Sequence, residues 1–170
     1  MPKYKNVKAI KSFSAGAIVC VAGKEPRVLL LTQNNEFYKR PKSTGDVVDI
    51  GPKGRIEPGE DAVAAAEREI FEEIGIRPYL DTSFSATKKY TFYEKNAAGQ
   101  MERIDKSVIY FLAIVDEDKA KQIKISREHK KCEILTFSDA IKRVKHANEK
   151  EIITKCCEYL KANMKKIIMK

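Results

Sequence analysis

The residues best suited to chemistry in this chain are three glutamates, Glu69, Glu72 and Glu73, in the stretch "AEREIFEEIG". On an α-helix, positions i, i+3 and i+4 are neighbours, so the three carboxylates would share one face. Like charges at this spacing destabilise a helix by roughly 0.2–0.5 kcal/mol per pair. A bound cation would remove that cost, and magnesium prefers hard oxygen ligands of this kind. The cluster therefore predicts either a divalent metal site or a solvent-exposed acidic face.

An amphipathic helix over Glu60–Ile74 is expected to carry these glutamates. Apolar residues recur at helical spacing and form one stripe beside the acidic face: Val63, Ala66, Ile70 and Ile74. Gly75 follows, at the position where a C′ glycine ends a helix. The stripe would bury the helix against the protein and leave the carboxylates at its edge.

The rest of the chain mixes strands and helices without regular alternation. Apolar runs bounded by turn residues predict strands near residues 13–23, 26–33, 79–93, 107–115 and 131–137, of which 107–115 reads as fully buried. Thr136 or Ser138 can cap a helix that ends at Val144, and a last helix is expected over about 148–168. The predicted fold class is α/β, in the α+β sense of a mixed β-sheet sandwiched between helices.

The glutamates belong to a longer pattern of fixed residues. Gly54 is followed after five residues by Glu60, after seven more by Arg68-Glu69-Ile70, and then by Glu72-Glu73 and Gly75-Ile76. This pattern, called the box below, resembles the signature of the Nudix hydrolases. The resemblance implies a Nudix-like fold with a catalytic loop–helix–loop and hydrolysis of a nucleoside diphosphate linked to another moiety.

The resemblance also implies a role for each position. Glu69, Glu72 and Glu73 would hold Mg²⁺ or Mn²⁺, and the carbonyl of Gly54 would add a ligand. Arg68 would pair with a box glutamate and orient it, Glu60 would brace the loop against the helix, and Gly75 would close the helix. A carboxylate outside the box often completes the metal site or acts as the base, and Glu128 in "SREH" is the candidate.

The flanking segments are similar to the asymmetric dinucleoside tetraphosphate hydrolases from about Ala15 to Leu160. The likeness rests on "GPKG", "KKYTFY", "DKSVIYFLAIV" and "ISREHKKCEILTFSDA". It implies cleavage of diadenosine tetraphosphate to ATP and AMP. Candidate substrate-binding residues are Lys53, Lys88 and Lys106 for the phosphates, Tyr93 and Tyr110 for the base, and His129 near the substrate or in a structural role.

Two tryptophans common in that group are missing, since the chain contains none. Asp49 or Ile50 stands near the first position, and Glu133 or Ile134 near the second. Other Nudix substrates therefore stay open: an RNA 5′ pyrophosphate, a nucleoside triphosphate or a nucleotide sugar. RNA is not favoured because no aromatic and basic stripe supports strand binding. A nucleotide-binding module without activity is disfavoured because the box is complete.

Length and composition predict one Nudix hydrolase domain over residues 1–170, with an N-terminal extension over 1–10. The net charge of +9 suits a polyanionic small molecule, with part of the excess in a lysine-rich C-terminal segment. No apolar run reaches a membrane span, and no signal peptide is apparent. Four cysteines without metal-ligand spacing predict free thiols, three of them in packing roles: Cys132, Cys156 and Cys157. A cytoplasmic monomer is expected.

Overall fold

The computed structural model describes residues 7–168, with seven strands and four helices in that range. The strands are β1 (Ala9–Val21), β2 (Arg27–Gln33), β3 (Val48–Asp49), β4 (Lys53–Arg55), β5 (Tyr79–Lys95), β6 (Met101–Val115) and β7 (His129–Thr136). The helices are α1 (Ala62–Ile74), α2 (Glu117–Ala120), α3 (Phe137–Arg143) and α4 (Ala147–Ile168). None of these helices is long and apolar enough to cross a membrane.

The strands form one mixed sheet in the order β3-β2-β1-β6-β5, with β4 paired to β1 and β7 paired to β2. Strands β1 and β6 are parallel over their whole common length, from Ala9↔Arg103 to Val21↔Val115. The other pairs are antiparallel. The short β4 therefore extends the sheet beside β1, on the edge away from β6.

Helices cover both faces of the sheet, which confirms the predicted fold class. Successive side chains of a strand point to opposite faces. Accordingly, Ile18 and Cys20 of β1 lie in a core shared with α3 and α4, while Val19 lies in a second core with Ile70 and Ile74 of α1. The α1 stripe thus packs on one face, and the two C-terminal helices close the other.

Several boundaries differ from the sequence prediction. The predicted extension over 1–10 overlaps β1, because Ala9 and Ile10 already pair with β6; residues 1–6 lie outside the described range. The run 107–115 is not fully buried, since Ile109 and Ile114 are partly exposed. Strands β3 and β4 are too short to leave a periodic pattern. All four cysteines are free thiols, as predicted.

Candidate active site

Helix α1 is fixed at both ends by local hydrogen bonds. The side chain of Asp61 accepts a hydrogen bond from the backbone N–H of Ala64 at 2.8 Å and caps the N-terminus. Gly75 adopts a left-handed conformation, φ 74°, and its N–H donates to the carbonyl of Phe71 at 2.9 Å. These caps set where the acidic face of the helix begins and ends.

Arg68 is the centre of a hydrogen-bond network that joins the helix to the loop before it. Its guanidinium donates two bonds to the carboxylate of Glu60, at 2.8 and 3.0 Å, and one to the carbonyl of Arg55, at 2.9 Å. It also donates to Glu69 at 2.6 Å and to Glu72 at 3.1 Å. The hydrogen bond from Arg68 holds the pKa of Glu60 down, at about 2.

The carboxylate of Glu69 lies directly against the backbone of Gly54. A Cβ atom added to Gly54 would come within 1.9 Å of Glu69 Oε1 and 2.1 Å of its carboxyl carbon. Only glycine therefore leaves room for the carboxylate at this position. Burial raises the pKa of Glu69, although the hydrogen bond from Arg68 opposes that shift.

Glu73 is the buried member of the cluster, and its partner is His129. The distance from His129 Nε2 to Glu73 Oε2 is 2.9 Å, and both side chains are 5% exposed or less. The other ring nitrogen, Nδ1, has no hydrogen-bond partner. Since an ionised carboxylate can only accept hydrogen bonds, a neutral imidazole must donate to it from Nε2–H. Burial raises the pKa of Glu73, and the hydrogen bond from His129 opposes that shift.

The segment that carries Glu128 is tied to the end of α1. The backbone N–H of Ser126 donates to the carbonyl of Glu73 at 2.8 Å. The Glu128 carboxylate in turn accepts a hydrogen bond from the hydroxyl of Tyr38 at 2.9 Å. This arrangement brings Glu128 to the same end of the helix as Glu73, from a segment more than fifty positions away in the chain.

The carboxylates are gathered but do not converge in this structure. Within residues 7–168, no group of three or more His, Cys, Asp or Glu side chains is arranged to hold a metal ion. The donors nevertheless suit a hard divalent cation. They are carboxylate oxygens, two of them are desolvated, and the Gly54 backbone leaves a cradle that a Cβ would fill.

Lys53 connects the acidic cluster to a neighbouring cleft of about 560 Å³. Its ammonium lies 3.2 Å from Asp49, whose other carboxylate oxygen accepts a hydrogen bond from Gln33 at 2.7 Å. A Cβ on Gly16 would come within 2.7 Å of the Lys53 Cβ, so that glycine allows β4 to lie close to β1. Asp49 and Gln33 were not predicted, because neither belongs to the box.

The cleft lies between β5 and the start of α4. Tyr90 and Lys88 line it from β5, and Glu149 and His146 line it from the other side. Lys88 forms an ion pair with the buried Glu149, as Lys53 does with Asp49, and its predicted contact with the phosphates stays a prediction. The side chain of Tyr90 is 37% exposed and presents an aromatic surface to this cleft.

Two predicted base-binding tyrosines are not in position for that role. Tyr110 is 1% exposed and packs in the core with α3 and α4, so its ring offers no face to a ligand. Tyr93 is three residues after Tyr90, and the alternation of β5 puts it on the opposite face of the sheet, outside the cleft. The same alternation puts Tyr90 on the face of β5 that lines the cleft.

Lys106 of β6 pairs with Tyr90 of β5, and its ammonium donates a hydrogen bond to the Ser12 hydroxyl at 3.1 Å. Its pKa is lowered to about 8, mainly by burial and then by the positive charges of Arg55 and Lys53. The carboxylates of Glu94 and Glu69 act in the opposite direction. Three cations thus converge where no carboxylate is paired directly with Lys106.

Comparison with known proteins places the chain among similar sequences and folds. A family model described as NUDIX domain matches residues 12–156. An asymmetrical bis(5′-nucleosyl)-tetraphosphatase of Sus scrofa is 31% identical over 128 residues, which cover 74% of this chain and 80% of that protein. Another, of Caenorhabditis elegans, is 33% identical over 109 residues, or 64% of this chain and 73% of that protein.

Solved structures give the same result for the fold. A binary complex of a C. elegans Ap4A hydrolase superposes with a TM-score of 0.67 at 26% identity, covering 89% of this chain and 98% of that one. A MutT protein from Methanosarcina mazei has a TM-score of 0.58 at 18% identity, over 88% of this chain and 95% of that chain. The overall fold is therefore similar to that of both structures.

Proposed function

The chain belongs to the NUDIX family, and from that premise we propose that it hydrolyses diadenosine tetraphosphate asymmetrically to ATP and AMP. It is a pyrophosphohydrolase of that family, whose members generally use divalent metal ions. The observation that carries the proposal is Lys53, a cation at the contact between the acidic cluster and a cleft large enough for a nucleoside.

We propose that Mg²⁺ or Mn²⁺ is held by the carboxylates of Glu69, Glu72 and Glu73 with the carbonyl of Gly54, and that Glu128 acts as the base. When bound, such an ion lowers the pKa of water and screens phosphate charge. The chain's own residues then have distinct tasks. Arg68 orients Glu69 and Glu72 through charge-assisted hydrogen bonds, and His129 holds Glu73 in one orientation.

The substrate is positioned by the cations and by the aromatic cleft. Lys53 and Lys106 bind the phosphate chain, and the Tyr90 ring packs against one base. Glu128 accepts the proton of the attacking water while its Oε2 stays hydrogen-bonded to Tyr38. A new P–O bond forms to that water, and the P–O bond to the leaving nucleotide breaks.

A comparison of substrates tests the assignment. We expect turnover of diadenosine tetraphosphate to exceed turnover of 5′-triphosphorylated RNA, ATP and ADP-ribose by at least about tenfold in kcat/KM. Discrimination of this size is what differential binding of a second nucleoside can supply. Preferred turnover of RNA or of a mononucleotide would refute the substrate assignment and leave the family assignment intact.

Lys106 predicts a pH dependence of substrate binding. Its pKa of about 8 means that its charge is present at pH 7 and is mostly lost at pH 9. Affinity for a methylene-bridged diadenosine tetraphosphate, which has no phosphate that titrates in this range, should fall by up to about tenfold between those pH values. A Lys106→Arg variant keeps its charge and should lack the decrease; an equal decrease in both proteins contradicts the role of Lys106.

A further inference from the structure

The loop between β2 and β3 is tied to the segment that carries Glu128. The backbone N–H of Asn34 donates to the carbonyl of Glu128 at 2.7 Å, and the Asn34 side-chain amide donates to the carbonyl of Arg127 at 3.1 Å. Within the loop, the N–H of Tyr38 donates to the carbonyl of Asn34 at 3.2 Å. One asparagine therefore joins the two segments and keeps the Tyr38 ring beside Glu128.

Four side chains from these two segments stack in a row, called the aromatic clamp below: Arg127, Phe37, Tyr38 and Arg40. The Arg127 guanidinium lies 5.5 Å from the centroid of the Phe37 ring, and the Arg40 guanidinium lies 4.6 Å from that of Tyr38. The two rings meet edge to face, with centroids 5.1 Å apart. Cations attract the faces of aromatic rings, and edge-to-face contact is a preferred arrangement of two rings. The Tyr38 ring is therefore held by two neighbours.

The backbone of the loop has an uncommon conformation at the clamp. Lys39, between Tyr38 and Arg40, has a φ of 52°, in the left-handed region that residues with a side chain rarely adopt. The N–H of Lys39 donates to the carbonyl of Glu36 at 3.1 Å, and the N–H of Arg40 donates to the carbonyl of Asn35 at 2.8 Å. Conformations of this kind persist where the surrounding contacts over-determine them. The loop contacts thus maintain a turn that leaves Arg40 over the Tyr38 ring.

The hydroxyl of Tyr38 is directed at one oxygen of the Glu128 carboxylate. It donates a hydrogen bond to Oε2 at 2.9 Å, while Oε1 accepts no hydrogen bond from the part of the chain that the structure describes. Burial and the hydrogen bond to Glu128 raise the pKa of Tyr38, so its hydroxyl keeps its proton and remains a donor. Oε1 is therefore the oxygen left to accept a further proton.

We propose that Tyr38 is a positioning residue for the hydrolysis, which holds Glu128 so that Oε1 takes the proton of the attacking water. The inference rests on the proposed function, in which Glu128 is the base. The O–H bond of the water breaks, its proton goes to Oε1, and the water oxygen forms the new bond to phosphorus as the bond to the leaving nucleotide breaks. A base must lie within hydrogen-bond reach of the proton that it accepts. Tyr38 acts through Glu128 and not on the substrate.

A double-mutant cycle of Tyr38→Phe and Glu128→Gln tests this role. Phenylalanine keeps the ring in the clamp and removes only the hydroxyl. Tyr38→Phe should lower kcat by about tenfold and leave KM within about twofold, because the base is misplaced while substrate binding is unchanged. Glu128→Gln should lower kcat by about 10²-fold or more. Adding Tyr38→Phe to Glu128→Gln should lower kcat by no more than about twofold further, because an amide takes no proton wherever it lies.

Tyr79→Phe is the matched control, because Tyr79 is 49% exposed at the start of β5 and lies outside the cleft. It should change neither kcat nor KM. Three results would overturn the positioning role: a full tenfold loss in the Glu128→Gln background, a loss that appears in KM rather than in kcat, or wild-type kcat in Tyr38→Phe. Thermal unfolding of each variant checks that it folds.

Failure of this inference is distinguishable from failure of the proposed function. The cycle is measured on whichever nucleotide the wild type hydrolyses, so a protein inactive on diadenosine tetraphosphate would refute the proposed substrate and leave the cycle in place. Wild-type kcat in Glu128→Gln would overturn both the base and its positioning by Tyr38. A large loss in Glu128→Gln with an additive loss from Tyr38→Phe would overturn the positioning alone.

Discussion

Replacing Glu73 by glutamine is expected to lower kcat by about 10³-fold, the size expected from losing several kcal/mol of metal-derived stabilisation of the transition state. Glutamine has the same shape and keeps an oxygen that can accept the hydrogen bond from His129. The substitution therefore removes the charge and little else. Steady-state kinetics with diadenosine tetraphosphate at saturating Mg²⁺ measures the effect.

The same variant should be more stable than the wild type in the absence of added metal. Burial raises the pKa of Glu73, so the ionised carboxylate present at neutral pH costs folding free energy that an amide does not. A gain of about 1 kcal/mol corresponds to about 2–4 °C in melting temperature for a chain of this size. Added Mg²⁺ should then raise the melting temperature of the wild type more than that of the variant.

Glu67→Gln is the matched control, because Glu67 is exposed on the same helix, almost two turns before Glu73. It should change neither kcat nor the response to Mg²⁺. Wild-type kcat in Glu73→Gln would contradict a role for Glu73 in the metal site. An equal Mg²⁺ response in the two proteins would locate the metal elsewhere.

Gly54→Ala should reduce kcat/KM by about 10²-fold, because the new methyl group and the Glu69 carboxylate cannot occupy the same space. The added Cβ would lie 1.9 Å from Glu69 Oε1, so the carboxylate must move and its bond from Arg68 must lengthen or break. A displacement of about 1 Å at a catalytic group costs about this much. Overpacking should also lower the free energy of unfolding by about 1–3 kcal/mol.

Gly23→Ala is the control for replacing a glycine by alanine without a steric clash, since its Cβ would meet no atom closer than 4.0 Å. Kinetics and denaturant unfolding of both variants separate the two effects. A Gly54→Ala protein with wild-type kcat/KM would show that the contact between Gly54 and Glu69 is not needed for activity.

The acidic helix α1 was predictable because the residues that specify it lie close together in the sequence. Helical spacing of the apolar stripe, the terminal Gly75 and the fixed positions of the box all lie within one short segment, and the structure shows α1 there with Arg68 bonded to Glu60. The Nudix resemblance was likewise confirmed by the family match. The metal identity, the cytoplasmic location and the monomeric state stay predictions.

The substrate side was less predictable because it depends on strand faces and on contacts between distant segments. Tyr93 was predicted to contact the base, but the alternation of faces along β5 puts it outside the cleft that Tyr90 lines, and Tyr110 lies in the core. Asp49, one of the two residues near the first missing tryptophan, is a buried carboxylate bonded to Gln33 and Lys53, and only the fold brings those three side chains together.

The most direct test of the central claim is the identity of the products from diadenosine tetraphosphate and Mg²⁺ in heavy-oxygen water. The proposal predicts ATP and AMP in equal amounts, with the heavy oxygen incorporated in one of the two products, as expected for a single attack of water on phosphorus. Formation of two ADP molecules, or no turnover alongside hydrolysis of another nucleotide, would contradict it.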